Sequence, residues 1–185
     1  MNLSPRRRFF RRDLFARERF LQEYLMGRRY MKVFMIDPNK CSGCHLCELA
    51  CSFNKHSVFN RELSNIRIQT KEDILLHVPV KCMQCEESPC INACVAQALY
   101  KDESTGAILC DQNKCIGCKA CVIACPFGCI SVMRTAYKAE ISLCDLCEGD
   151  PECVKACRQK ALSYVDESKI NREKRERTFT KVVNQ

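Results

Sequence analysis

The sequence lacks the features of a membrane protein and of a large apolar core. Its 185 residues include no tryptophan and no run of about 18 apolar residues, which excludes a membrane-spanning helix. The hydrophobic fraction of 46% counts 18 cysteines, and without them it falls to roughly 36%. That content is thin for a chain whose length suits one domain or two very small ones. We therefore expect something other than side chains to fill the interior.

The features of an exported, disulfide-bonded protein are also lacking. The segment Ser4–Phe10 resembles a twin-arginine export signal only faintly. Charged residues such as Asp13, Arg17 and Glu18 stand where a signal needs about 7–15 apolar residues. Disulfides are rare in reducing compartments. The expected location is an anaerobic cytoplasm, where so many cysteines would bind zinc or iron–sulfur clusters.

Sixteen of the 18 cysteines fall into four regularly spaced runs. The first and third runs have the spacing C-x2-C-x2-C-x3-C of bacterial ferredoxins, in which three thiolates hold one cube and the fourth ligates another cluster. The second and fourth runs lengthen the middle gap, which changes only the loop that reaches the cube. The candidate ligands are Cys41, Cys44, Cys47 and Cys51, then Cys82, Cys85, Cys90 and Cys94, then Cys115, Cys118, Cys121 and Cys125, and finally Cys144, Cys147, Cys153 and Cys157.

Zinc suits these runs less well than iron and sulfur. A structural zinc site more often takes two ligands from each of two C-x2-C pairs, so a third cysteine three residues later has no natural place. The pattern therefore predicts four [4Fe–4S] clusters. The sequence contains no Walker loop and no nucleotide-binding fingerprint, so we predict no catalytic residue.

The remaining cysteines and the histidines have simpler interpretations. Cys110 follows an apolar, strand-like run, and Cys129 follows Pro-Phe-Gly. Both are predicted to be small buried side chains, with a substitute ligand or a reactive thiol as the alternative. His45 lies inside the first ligand loop and is predicted to fill that loop rather than to bind metal, because the cysteines already saturate the cube.

Strand-like and helix-like segments alternate with the cysteine runs and predict an α+β fold. Each unit consists of a strand, a cysteine loop and a short helix that begins with or contains the fourth cysteine. A lone unit cannot enclose its cluster, so the units are expected to pair. The predicted strands are 33–36, 66–68, 76–78, 107–109, 130–133 and 162–165, and the predicted helices are 47–53, 90–98, 118–125 and 153–160.

Positive charge is concentrated near the N-terminus. Residues 1–32 hold ten Lys/Arg and three acidic residues, for a net charge of +7, whereas residues 33–165 have a net charge of −1. Each oxidised cluster with its four thiolates adds about −2, so the body of the holoprotein is expected to be acidic. An acidic body argues against nucleic acid as a partner. The charged stretch 167–181 is predicted to be a solvated helix or a frayed tail.

Residues 1–31 are predicted to form a helical arm that binds another protein. The arm carries four phenylalanines, more than an isolated helix can bury. Docking on another subunit, or on a second copy of this chain, is the expected role. The alternatives are that the aromatic side chains cover the protein's own body, or that the arm lies on a membrane surface, which is the least favoured. The four residues are Phe9, Phe10, Phe15 and Phe20.

The four runs resemble the four-cluster, ferredoxin-like electron-transfer subunits of molybdenum and tungsten oxidoreductases and hydrogenases. The resemblance rests on the order of the runs, on C-M-Q-C-E-E-S-P-C at 82–90 and on C-D-L-C at 144–147. The first run and the segment that follows it, 41–68, look most like polyferredoxin subunits paired with tungsten-dependent aldehyde oxidoreductases. The match spans residues 32–165, with a charged tail at 166–185.

The resemblance implies two nested dicluster modules. Runs one and four would pair in an outer module, 32–75 and 136–165, around an inner module, 76–135, in which runs two and three pair. Four cluster centres follow from this pairing. Centre I takes Cys41, Cys44, Cys47 and Cys157; centre II takes Cys144, Cys147, Cys153 and Cys51; centre III takes Cys82, Cys85, Cys90 and Cys125; and centre IV takes Cys115, Cys118, Cys121 and Cys94.

The resemblance also implies an electron-transfer subunit with no catalytic activity of its own. Its clusters would connect a catalytic subunit, of the tungsten or molybdenum and aldehyde or formate type, to an acceptor such as a flavin or a ferredoxin. The alternatives are a subunit of a hydrogenase or carbon monoxide dehydrogenase, a free polyferredoxin, and a filament whose copies associate through residues 1–31. One departure from the family is that a proline follows the last cysteine of only one run, as Pro126.

Overall fold

The structure is a computed structural model that describes residues 32–134 and 139–183, so the predicted arm at 1–31 lies outside the described residues. The described part is a mixed α+β structure, as predicted. Its strands are β1 (Lys32–Ile36), β2 (Ile66–Lys71), β3 (Leu76–Lys81), β4 (Leu99–Lys101), β5 (Ile108–Cys110), β6 (Ser131–Arg134), β7 (Ala139–Ser142) and β8 (Leu162–Asp166). Its helices are α1 (Leu46–His56), α2 (Pro89–Asn92), α3 (Ala120–Ala124), α4 (Glu152–Ala156) and α5 (Glu167–Val183), and 3₁₀ turns lie at Pro38–Lys40, Arg61–Leu63, Glu72–Ile74 and Leu146–Gly149.

The strands form antiparallel pairs rather than one continuous sheet. Strand β1 pairs with β8, with Phe34 opposite Tyr164, so the two ends of the cysteine-rich region are held together. The other pairs join β2 to β3, β4 to β5 and β6 to β7. Two-stranded pairs are marginal by themselves, so their stability must come from packing against the cysteine-bearing helices.

The short helices pack in two combinations. Helix α1, which carries Cys47 and Cys51, packs against α4, which carries Cys153. Helix α2, which carries Cys90, packs against α3, which carries Cys121. Runs one and four are therefore adjacent in space, and so are runs two and three.

Local sequence explains where these helices begin. Pro89 is the first residue of α2, a position that suits proline because the first N–H groups of a helix have no partner within it. His45 and Lys119 precede α1 and α3 in the left-handed conformation, which reverses the chain directly before each helix. Because of that reversal, the third cysteines of runs one and three lie near the start of a helix.

Two clusters of buried side chains form the interior, and both contain cysteines. The cluster around the inner runs consists of Cys82, Cys90, Leu99, Ile108, Cys121, Ile130, Ile141 and Leu143. The cluster around the outer runs consists of Cys47, Cys51, Ile66, Ile68, Cys153 and Leu162. Thiols thus take places that aliphatic side chains occupy in an ordinary core, which accounts for the low apolar content.

Three of the predicted helices are shorter than the sequence suggested. The helices expected at 90–98, 118–125 and 153–160 end at Asn92, Ala124 and Ala156. The fourth cysteines of runs two to four therefore lie just beyond a helix, and only that of run one lies within one. At Cys125 the cause is Pro126, because a proline disfavours the helical conformation of the residue before it. Strands β4 and β7 are not evident in the sequence, since they are too short to show a period.

The charged C-terminal segment forms a helix, as predicted. Helix α5 is exposed along most of its described side chains, with Ile170 as a buried contact. No helix in the described ranges is long and apolar enough to cross a membrane.

Candidate iron–sulfur centres

The ligand loops of runs one and three have the same backbone conformation. Gly43 and His45 have φ angles of +68° and +61°, and Gly117 and Lys119 have φ angles of +68° and +63°. Left-handed residues placed between right-handed ones direct successive N–H groups to one side of the chain and form a concavity that binds anions. An iron–sulfur cube with four thiolates is such an anion. At Gly43 a side chain would also lie 2.7 Å from the His77 ring.

The cysteines predicted for centre I line one small cavity. Three of them come from run one and the fourth, Cys157, comes from the far end of the chain. The remaining walls are largely apolar and include Ile68, Pro79 and Leu162. The cysteines of this cavity are Cys41, Cys44, Cys47 and Cys157.

A second small cavity has a similar lining. It is lined by the cysteines predicted for centre IV, together with Ile116, Leu99 and Ile141. Three of its cysteines belong to run three and one, Cys94, belongs to run two. The set is Cys94, Cys115, Cys118 and Cys121.

The thiols predicted for the other two centres are also close to one another. In centre III, Cys82 and Cys90 both interact electrostatically with Cys125. In centre II, Cys153 interacts with Cys144, Cys147 and Cys51. Cys85 is half-buried in the loop that leads from Cys82 to α2.

Further thiol interactions give the order of the four sets. Cys153 of centre II also interacts with Cys47 of centre I. Cys144 of centre II interacts with Cys82 of centre III, and Cys90 of centre III interacts with Cys121 of centre IV. The sets therefore follow one another in the order I, II, III, IV.

Backbone N–H groups donate to the fourth cysteine of three runs. The N–H of Asn65 lies 3.4 Å from the sulfur of Cys51, and the N–H of Ala98 lies 3.2 Å from that of Cys94. The N–H of Cys129 lies 3.4 Å from the sulfur of Cys125. Such donors favour the thiolate over the thiol and stabilise added negative charge on a cluster. Two of these cysteines, Cys51 and Cys94, have no proline after them, whereas Cys125 is followed by Pro126.

Burial strongly disfavours thiolates in the absence of metal. Burial, reinforced by the Glu48 carboxylate, raises the pKa of Cys47 to about 12. Burial likewise raises the pKa of Cys144 to about 11. At Cys94 burial also acts to raise the pKa, but backbone N–H groups led by that of Ala98 outweigh it, and the pKa is lowered. Metal ligands must be deprotonated, so cluster binding is expected to release protons from these thiols.

Glu48 connects the first ligand run to the strand behind it. Its carboxylate is buried and accepts hydrogen bonds from the N–H of Ile68 at 2.7 Å, from Arg61 Nε at 2.5 Å and from His45 Nδ1 at 2.9 Å. Burial acts to raise the pKa of Glu48, but these hydrogen bonds outweigh it, and the pKa is lowered. His45 therefore orients a carboxylate, in agreement with its predicted place as a loop residue.

The cavities fit an iron–sulfur cube better than a single metal ion. Each is lined by at least four cysteines and by apolar side chains, and cysteine thiolates are the ligands that such cubes prefer. Within 32–134 and 139–183, no three His, Cys, Asp or Glu side chains are placed to hold one ion.

The two cysteines outside the runs lie beside candidate ligands and are half-buried. Cys110 lines the cavity of centre IV and forms a side-chain hydrogen bond with Cys115. Cys129 lies near Cys125 and Cys82, and its thiol donates to the carbonyl of Phe127. Both pack against the inner core, as predicted for small hydrophobic residues, although neither is fully buried.

The sequence is similar to known families and proteins. Residues 73–167 match the 4Fe-4S dicluster domain family, and residues 38–54 match a 4Fe-4S binding domain. The chain is 44% identical over 126 residues to the "Aliphatic sulfonate oxidoreductase, polyferredoxin-like subunit" of Pyrococcus furiosus, covering 68% of this chain and 70% of that protein. It is 35% identical over 175 residues to the electron transport protein HydN of Escherichia coli, covering 80% and 98%. The active site complex BamBC of benzoyl coenzyme A reductase aligns over 85% of this chain and 100% of its own, with 24% identity and a TM-score of 0.43.

Proposed function

The chain belongs to the 4Fe-4S dicluster family of iron–sulfur electron-transfer proteins, and we propose that it carries four [4Fe–4S] clusters as a wire within an oxidoreductase complex. Electrons would enter from a catalytic subunit at one end and leave to an acceptor at the other. The clusters supply one-electron redox chemistry when bound. The protein holds them, keeps water away and adjusts their potentials through hydrogen bonds and burial.

The cavity that combines Cys157 with three cysteines of run one carries this proposal. Ligands from opposite ends of the sequence at one cavity support crossed ligation between runs one and four. The packing of α1 on α4 and of α2 on α3 supports the nesting of an inner module within an outer one. Nesting favours a continuous row of clusters over two separable dicluster units.

The exposure of the cysteines supports a path for electrons from one end of the row of centres to the other. Of the 18 cysteines, Cys44 and Cys118 are exposed, and the others are buried or half-buried. Cys44 belongs to centre I and Cys118 belongs to centre IV, which are the two ends of the row. Electron transfer to a partner needs a cluster close to the surface, so these two positions suit entry and exit.

The partner is proposed to be a catalytic subunit that needs a one-electron relay. The Pyrococcus furiosus relative is named as the polyferredoxin-like subunit of a sulfonate oxidoreductase, which supports such a partner for this chain. The resemblance to polyferredoxins of tungsten enzymes leads us to propose tungsten or molybdenum in the partner and a ferredoxin or flavin as the acceptor. Residues 1–31 are proposed to contact the partner or a second copy of the chain.

The proposal is tested by purifying the protein anaerobically with whatever remains bound. The metal content of the purified material is then measured. We expect about sixteen iron per chain, the content of four cubes, together with stoichiometric tungsten or molybdenum. Sixteen iron without a second subunit would instead indicate a free carrier. Excess iron or nickel would indicate a hydrogenase or carbon monoxide dehydrogenase, and zinc in place of iron would refute the assignment.

A further inference from the structure

Lys81 is a buried lysine at the junction of the two modules. Its side chain is 3% exposed, although lysine is almost never fully buried unless its charge is paired. The ammonium donates to the carbonyl of Cys82 at 2.7 Å and lies 4.2 Å from the centre of the Phe34 ring. Among the described residues, no carboxylate forms a salt bridge with it. In the described part of the chain, these contacts give the buried positive charge little compensation.

The surroundings of Lys81 belong to the two middle centres. Cys82, the next residue, is a proposed ligand of centre III. The loop after it reaches centre II directly, because Gln84 Nε2 donates to the carbonyl of Cys144 at 2.6 Å. On its other side, the ammonium faces the Phe34 ring, which packs against the outer core that contains Cys51 and Cys153, two proposed ligands of centre II. The ammonium therefore lies between the two ligand sets.

We propose that Lys81 is the shared counter-charge of centres II and III and raises the reduction potential of both clusters. An oxidised cube with four thiolates carries about −2, and one-electron reduction makes it more negative by one charge. A fixed buried cation stabilises the reduced form more than the oxidised form, because the interaction grows with the negative charge and is weakly screened. This inference rests on the proposed four-cluster wire and adds to it a residue that adjusts the two middle positions.

The buried location distinguishes Lys81 from other lysines near the ligand loops. Lys101 donates to the carbonyl of Cys85 in the same loop at 3.2 Å, but it is only half-buried and is therefore more strongly screened by water. Lys55 lies near Cys147 and Cys51 but forms an ion pair with Asp145, so its net effect is small. Lys101 is the matched control, because it has the same kind of bond to the same loop without the burial.

The test compares Lys81→Arg, Lys81→Gln and Lys81→Met with Lys101→Met, all purified anaerobically. Iron per chain is measured first, and the potential of each cluster is then measured by redox titration with electron paramagnetic resonance detection. Cys44→Ser and Cys118→Ser backgrounds identify the signals of centres I and IV. We expect Lys81→Gln and Lys81→Met to lower the potentials of centres II and III only, Lys81→Arg to retain them, and Lys101→Met to produce a smaller shift at centre III alone.

Equal shifts in all four clusters, no shift in the neutral variants, or the same shift in Lys81→Arg as in Lys81→Met would overturn the counter-charge role. Should the neutral variants fail to retain iron, the proposal requires that Lys81→Arg retains it, and equal loss in Lys81→Arg would refute it. The unmodified protein tests the wire separately. Fewer than four clusters there would contradict the proposed function, whatever the Lys81 variants show.

Discussion

Replacing Glu48 by alanine should destabilise the protein by about 2–5 kcal/mol. The buried carboxylate accepts three hydrogen bonds, and the N–H of Ile68 would lose its acceptor within the core. A buried donor without a partner costs about 1–3 kcal/mol. Loss of the bond from Arg61 would cost much less, because the Arg61 side chain is 53% exposed and water can replace the carboxylate as its acceptor. The void left by the removed side chain accounts for the remainder.

The glutamine variant separates the hydrogen bond from the charge. Glu48→Gln retains an oxygen that can accept from Ile68 but has no negative charge for Arg61, so we expect a loss of only about 1 kcal/mol. We therefore expect the free energy of unfolding to decrease from the wild type to Glu48→Gln and further to Glu48→Ala. Glu62→Ala is the control, because Glu62 lies in the adjacent 3₁₀ turn with an exposed side chain.

Anaerobic urea denaturation, followed by cluster absorbance and far-ultraviolet circular dichroism, measures these differences. Loss of the clusters makes unfolding irreversible. The urea midpoints of the variants must therefore be compared at one fixed rate of increase in urea concentration. Helix α1 carries Cys47 and Cys51, proposed ligands of two different centres, so Glu48→Ala should accelerate iron release from both centres I and II. An alanine variant as stable as Glu62→Ala would show that the carboxylate does not hold the first ligand run in place.

Three further predictions follow from the same geometry. Gly43→Ala should cost at least about 1–2 kcal/mol from the left-handed backbone alone, and more from the clash with His77. Thermal unfolding should show a smaller loss for Gly128→Ala, because Gly128 has φ +61° but open space around it. Cys125→Ser should alter the resonance signal of the cluster built on run two, and an effect confined to the run-three cluster would disprove crossed ligation. Deleting residues 1–30 should leave iron content unchanged and abolish association in gel filtration, and retained association would exclude a docking role for the arm.

The cysteine spacing carries most of the predictable information, because the dimensions of a cube restrict how far apart its ligands can lie along a loop. That restriction is why the spacing alone predicts that the cysteines of runs one and three are ligands. Cysteine spacing does not predict where the helices end. Cys94, Cys125 and Cys157 follow short helices because local turns end them, and helical spacing alone does not reveal those turns.

The supporting residues could not be identified from the sequence, because their types are normally exposed. Glu48 and Lys81 are charged residues next to proposed ligands, and such residues are usually solvated. Their burial follows from long-range packing, since Glu48 meets Ile68 and Lys81 meets Phe34 from other strands. The sequence favours a passive core role for Cys110, whereas in the folded chain this residue borders the cavity of centre IV.

The low apolar content and the proposed nesting of the modules have one common explanation. Six of the fourteen buried residues in the two described core clusters are cysteines, and burial moves the pKa of Cys47 and Cys144 further above neutral pH. Binding free energy of the clusters is therefore part of the folding free energy. Strand β1 can pair with β8 only when the first and last runs meet, and the cavity around Cys157 gives them a shared ligand set. The clusters are thus proposed to conduct electrons and also to provide the interior on which these short strands and helices assemble.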